Sequence, residues 1–308
     1  MTEPAAARSS VPSGLDECVL ASINGNVPVG IAFVRLAMQT GTPEEFAHAL
    51  AEASRSPLHP RVAGRLEQLR RLAIRHPGAW SIVRGVLDEV SHDRAEAADG
   101  AVAIAHCAAA FERAVQTSPE ASVALYSLGD PDLLDAATND VVARMHDWGL
   151  LARRRTLLEI GCGIGRFQKA LAGEVGRVFG IDIAPAMVET ARQRCAGLAN
   201  VDIRLTTGVD LAGFGDGEID CVFAVDTFPY IVAAGDAVVA GYFRDAKRVL
   251  RTGGDLLILN FSYRGDPVRD RADIADLCGR HGFVTARIEE STFRLWDGVA
   301  FHLVKRGK

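Results

Sequence analysis

"TLLEIGCGIGRF", Thr156 to Phe167, followed at Val178 by "VFGIDIAP", is the stretch that decides the fold. An apolar run stops at three glycines, Gly161, Gly163 and Gly165. The amphipathic segment "RFQKALAGEV" comes next, and a second apolar run ends at Asp182. The order reads strand, turn, helix, strand. Glycines let the backbone turn sharply and approach a ligand, whose polar groups then meet the free N–H donors at a helix start. A carboxylate about 20 residues further on is placed to accept both hydroxyls of a ribose. The stretch therefore predicts a ribose-containing ligand over the turn.

Outward from this unit, short β-rich runs recur as "VDIRLTT", "CVFAVD", "DLLILNF", "FVTARIEE" and "VAFHLVK". The first five runs of the half alternate with helical segments, which implies parallel strands with crossover helices. The last two are linked by "STFRLWDG", short enough for an antiparallel return. The expected fold is α/β, a doubly wound seven-stranded sheet, mostly parallel with one antiparallel strand, preceded by an all-α domain. Up to about Asp147 the signals are helical. "TPEEFAHALAEAS" offers Thr42 as N-cap, Pro43 at the first helical position and Glu45 to close a capping box. Ser118 and Asp130 repeat that arrangement before Pro119 and Pro131.

The turn reads G-x-G-x-G with Glu159 two residues before the first glycine, not the G-x-G-x-x-G of dinucleotide sites. This resembles motif I of class I S-adenosylmethionine (SAM) dependent methyltransferases. The likeness runs from about Arg155 to the C-terminus through "LLEIGCGIGRF", "VFGIDIAPAMVETAR", "EIDCVFAVDTFPYI" and "RVLRTGGDLLIL". It implies a Rossmann-like fold and SAM as cofactor, with S-adenosylhomocysteine as product. It implies cofactor contacts from Tyr126, Glu159, Gly161, Cys162, Gly163, Gly165, Asp182, Ile183 and Asp226. Two departures from the family pattern stand out. Thr252 replaces a common proline before Gly253-Gly254, and the acidic residue usual after the third strand is absent. Thr207 takes that place with Asp210 three residues later, so Thr207, Gly208 and Asp210 share the expected adenine contacts. The organisation read here is a disordered lead-in over 1–13, a helical substrate or lid domain over 14–148 and a SAM-binding domain over 149–308.

The composition bounds the function further. The 308 residues are 48% hydrophobic and 24% charged with a net charge of −5, which gives no basic footprint for nucleic acid. "MTEPAAARSSVPSG" lacks the basic and apolar regions of a secretory signal, and no apolar run suits a membrane span, so a cytoplasmic protein is expected. Six cysteines, Cys18 included, form no C-x-x-C pair and the histidines no H-x-x-x-H pattern; neither disulfides nor a metal is expected. Only four lysines occur against abundant arginine and alanine, a composition typical of a GC-rich bacterial genome.

In an open α/β sheet the ligand lies beyond the carboxyl ends of the strands. That rule selects "DTFPYI", "NFSYRGDP" and "STFRLWDG", which bring Phe228, Tyr230, Tyr263, Phe293 and Trp296 beside Asp226, Asn260 and Arg264. Rings with a few polar anchors suit a small-molecule acceptor. Asp226 is the candidate proton acceptor and Tyr230 the residue that orients the acceptor. Methyl transfer to oxygen or nitrogen of a small metabolite is the expected reaction. The alternatives are a protein or nucleic-acid acceptor, since "DTFPY" approaches the D-P-P-Y of DNA amino methyltransferases, and a SAM-binding sensor without transfer. His302, further into the last strand, is expected to be structural. The sequence leaves the oligomeric state open.

Overall fold

The structure, a computed structural model, describes residues 27–54, 60–90, 100–290 and 292–307. The lead-in over 1–13, the start of the expected helical domain, Cys18 and Ser291 lie outside the described residues.

Seven strands form one sheet: β1 Thr156–Ile160, β2 Arg177–Asp182, β3 Val201–Leu205, β4 Ile219–Val225, β5 Leu250–Leu259, β6 Phe283–Glu289 and β7 Ala300–Lys305. Their order is β3-β2-β1-β4-β5-β7-β6. Strands β1 to β5 pair in parallel, and β7 runs antiparallel to both of its neighbours. This is the doubly wound, mostly parallel sheet with one antiparallel strand expected from the sequence. The central strand β4 is buried at every position, as a strand covered by helices on both faces must be. One core fills each face, one around Leu158, Val222, Phe243 and Leu256, the other around Leu157, Phe167, Phe223 and Leu257.

Every described regular element before β1 is helical. The caps act as their residue types require. Thr42 Oγ1 accepts the Glu45 N–H and the Glu45 carboxylate reaches back to the Gly41 N–H. Ser118 accepts from Ala121, and Asp130 from Asp132 and Leu133. The helix begun at Ser118 is short. It spans Pro119–Val123 and gives way, through an extended Ala124, to a 3-10 turn at Leu125–Ser127. That break turns Tyr126 away from the helix axis and toward the sheet.

His302 is structural, as the alternation of the last strand suggested. It is buried and meets Asp255 Oδ1 at 2.7 Å, while Arg155 binds the same carboxylate. No described helix is long and apolar enough to cross a membrane.

Candidate functional site

The parallel order reverses direction at β1, where β2 lies on one side and β4 on the other. A crevice opens there at the carboxyl ends of the strands. The helices before β1 roof it, leaving a cavity of about 400 Å³.

The glycine turn forms one end. Gly161, Gly163 and Gly165 have φ of 71°, 51° and 75°, values that favour glycine. Gly161 and Gly163 line the cavity; Gly165 lies beneath it, where a Cβ would stand 3.0 Å from Ala191 Cβ. The Asp182 carboxylate ties this turn to β2. Its Oδ2 accepts the Gly163 N–H at 2.8 Å and its Oδ1 accepts the Ala184 N–H at 3.0 Å. Burial pushes the Asp182 carboxyl up, and these backbone donors oppose the shift. A further backbone donor, Ile183, bonds the carboxylate as well, and Asp182 remains on the cavity wall with Ile183 and Gly208.

The other end gathers Asp226, Tyr230, Asn260, Tyr263, Tyr126 and Trp296. Asp226 follows β4 and Asn260 follows β5. Asp226 Oδ1 accepts from Asn260 Nδ2 at 2.7 Å and from Tyr263 Oη at 3.0 Å. Burial in the wall pushes the Asp226 carboxyl up to about 6, against the hydrogen bonds from Asn260 and Tyr263. The Tyr126 and Trp296 rings stack 6.3 Å apart, and Tyr230 meets the Phe111 ring edge to face at 5.1 Å.

Several residues selected from the sequence lie off the cavity wall. Glu159 is buried beneath the turn, where its Oε2 accepts from Gln168, and burial pushes its carboxyl up to about 8. Cys162 packs with Val188 and Ala191. Thr207 is exposed, and Asp210 caps the Ala212 N–H; Thr206 stands on the wall instead. Phe228 belongs to the core among Tyr242, Phe243 and Phe261. Phe293 packs between Trp148 and Trp296, and Arg264 pairs with Asp270 and Asp273.

Sequence reasoning expected a helical lid and placed Tyr126 in it, but did not name the other lid residues that line the cavity. Ile31, Val34, Arg35 and Met38 come from the helix Val29–Gln39, and Ile104, Cys107 and Phe111 from the helix Gly100–Thr117. Arg35 Nη2 binds Asp297 Oδ2 at 3.0 Å, joining the roof to the β6–β7 connection. A single arginine in "VPVGIAFVRLAM" was the available signal. Among the described residues, no three potential metal ligands come together.

Fold and cavity define an α/β protein with a helix-roofed cavity at a topological switch point. Residues 158–258 match the family described as "Methyltransferase domain". This match agrees with the resemblance to class I, SAM-dependent methyltransferases carried by the glycine turn and Asp182. It is 36% identical over 107 residues to the demethylmenaquinone methyltransferase of Tropheryma whipplei (strain Twist), covering 35% of this chain and 42% of that one. It is 34% identical over 134 residues to the 2-methyl-6-phytyl-1,4-hydroquinone methyltransferase of Synechocystis sp., covering 41% of this chain and 39% of that one. The chain thus spans less than half the length of these curated relatives. The structure of Haemonchus contortus phosphoethanolamine N-methyltransferase 1 shares the fold, with a TM-score of 0.54 at 17% identity over 68% of this chain and 49% of that one.

Proposed function

We propose that the protein transfers a methyl group from SAM to an oxygen or nitrogen of a small, largely apolar metabolite. The observation that carries this reading is the continuity of the cavity. One wall runs from the Asp182 carboxylate and the bare glycine backbone to the carboxylate of Asp226.

The cofactor fits the residues present. Asp182 offers its remaining acceptor capacity to a ribose hydroxyl, and Gly161 and Gly163 leave room for the methionine portion. A Cβ on Gly163 would stand 2.5 Å from Val123 Cγ1, so the space there depends on glycine. When bound, SAM supplies a methyl group already activated by the sulfonium charge. The chain's own work is then binding, orientation and proton removal. Holding the nucleophile about 3–3.5 Å from the methyl carbon supplies most of the acceleration. Asp226, with its carboxyl near 6, is ionised at neutral pH and basic enough to take a proton from a weakly acidic hydroxyl. Tyr230 orients the acceptor with its ring, and the helices before β1 serve as its lid.

The acceptor reading rests on the lining. Ile31, Val34, Met38, Val86, Val90 and Phe111 present hydrocarbon, and the Arg35 charge is already paired with Asp297. The names of two relatives, a demethylmenaquinone and a hydroquinone methyltransferase, support a lipophilic ring compound. The test is incubation with SAM and a series of lipophilic phenols and hydroquinones, each beside its amine counterpart, with S-adenosylhomocysteine release as the readout. Release that depends on the acceptor is expected. Tighter binding of NAD than of S-adenosylhomocysteine, or turnover only with protein or nucleic acid, would overturn the reading.

A further inference from the structure

Asp226 and Asn260 share a conformation that side-chain-bearing residues seldom adopt. Their φ values are 54° and 64°, and Leu128 is the only other non-glycine residue with positive φ among those described. Asn and Asp tolerate this region better than other L-residues. The two sit side by side, each one residue past the end of adjacent parallel strands, since Val225 and Leu259 are register partners. The backbone fixes both, with the Asp226 N–H donating to Leu259 O and the Asn260 N–H to Val299 O.

The orientation of the Asn260 amide follows from its surroundings. Its Oδ1 accepts the Val299 N–H at 2.9 Å, which a flipped amide could not do. The Nδ2 donor therefore faces Asp226, 2.7 Å from Oδ1. Tyr263 donates to that same oxygen. Two donors from the loop that follows β5 thus converge on one atom of the carboxylate.

We propose that Asn260 is a positioning residue which, braced by Val299 and assisted by Tyr263, holds Asp226 by Oδ1 and leaves Oδ2 to take the acceptor's proton. This rests on the reading of Asp226 as base given above. The step is proton transfer alone. The acceptor's O–H bond breaks, its electron pair stays on the acceptor oxygen as the nucleophile, and the proton bonds to Oδ2 and later leaves to solvent. Burial raises the carboxyl most, and the same two donors favour the ionised form and offset part of that rise. The other charged groups facing Asp226 are the Arg166 guanidinium, which favours the ionised form, and the Asp297 carboxylate, which disfavours it. The phenols of Tyr126 and Tyr230 also face it.

The test is titration of Asp226 in the full chain labelled with ¹³C at aspartate carboxyl carbons, with S-adenosylhomocysteine as the bound probe. The Asp226 signal is assigned by its loss in Asp226→Asn. Asn260→Gly removes the amide while keeping a residue that accepts φ of 64°. It should raise the midpoint by about one pH unit. Tyr263→Phe, at a side chain 48% exposed, should move it the same way and carries the test if the glycine variant does not fold. A purely structural Asn260 would lower the melting temperature and leave the midpoint in place. An unmoved midpoint in both variants overturns the clamp and leaves the base reading standing. Methyl transfer by Asp226→Asn at the parent rate overturns the base reading, and the proton step with it.

Discussion

Gly163→Ala is the sharpest probe of how the roof meets the glycine turn. At Gly163 φ is 51°, and an added Cβ would lie 2.5 Å from Val123 Cγ1. Carbon atoms in contact sit about 3.5–4.0 Å apart, so one side must move by roughly 1 Å. Val123 yields poorly, because it is β-branched and ends the helix Pro119–Val123. Left-handed backbone costs an alanine about 1–2 kcal/mol, and overpacking about 1–3 kcal/mol. The expected destabilisation is their sum, roughly 2–5 kcal/mol.

A double-mutant cycle separates the two contributions. In a Val123→Ala background the overlap disappears and only the backbone cost of about 1–2 kcal/mol should remain. The cycle should therefore show a coupling of about 1–3 kcal/mol by denaturant unfolding. Calorimetry with S-adenosylhomocysteine adds a second readout, in which affinity stays reduced even in the double variant because Gly163 itself lines the cavity. Additive stabilities, within about 0.5 kcal/mol, would refute the packing of this segment onto the turn.

Three further outcomes follow from the same geometry. Glu159 is buried with its carboxyl raised to about 8, so the folded state keeps a proton that the unfolded chain releases above about 4.3, and stability falls as pH rises toward 8. Glu159→Gln lacks that loss, and its stability relative to the parent, followed by denaturant titration, should grow by roughly 1.4 kcal/mol per pH unit across this window and then level off. Asp255 has the opposite sign: burial raises its carboxyl, but the His302 and Arg155 hydrogen bonds outweigh this and hold it below the ordinary value. Asp255→Asn should cost about 3–5 kcal/mol at pH 7, with the gap to the parent closing below about pH 4 as the parent carboxylate is protonated. Arg35→Leu breaks an ion pair about one-third exposed and should change stability by less than about 1 kcal/mol. It should alter the KM for the acceptor while calorimetric affinity for S-adenosylhomocysteine stays at the parent value; a loss of that affinity would place Arg35 on the cofactor side.

The sheet was legible because its signals are local. A glycine triplet after an apolar run, alternation of helical segments with short strands, and capping residues before prolines each act within a few residues of where they stand. The site was legible only where it is built from strand ends. Glu159 shows the limit. Alternation along β1 sends Ile160 to the cavity and turns Glu159 to the opposite face, against Gln168 of the helix Arg166–Leu171. Membership of the motif therefore does not by itself put a side chain on the wall. After β3 the Thr206 N–H still bonds Asp182 O, which holds Thr206 against the end of β2 and on the cavity wall, while the next residue, Thr207, is exposed.

The roof could not be read in this way, since a helix records which of its faces is apolar but not what that face covers. In "SPEASVALYSLGD" the start is marked by Ser118 and Pro119, yet no glycine or proline stands at Ala124, where the helix breaks. The break depends on distant packing. Tyr126 stacks on Trp296, which is 170 residues away along the chain, and Gly30 lies so close that a Cβ would meet Tyr126 O at 2.7 Å. Arg35, five residues beyond Gly30, reaches Asp297, immediately after Trp296. One helix and one strand connection thus grip Tyr126 from two sides and meet over the cavity, where substitutions in either should change acceptor choice before they change cofactor binding.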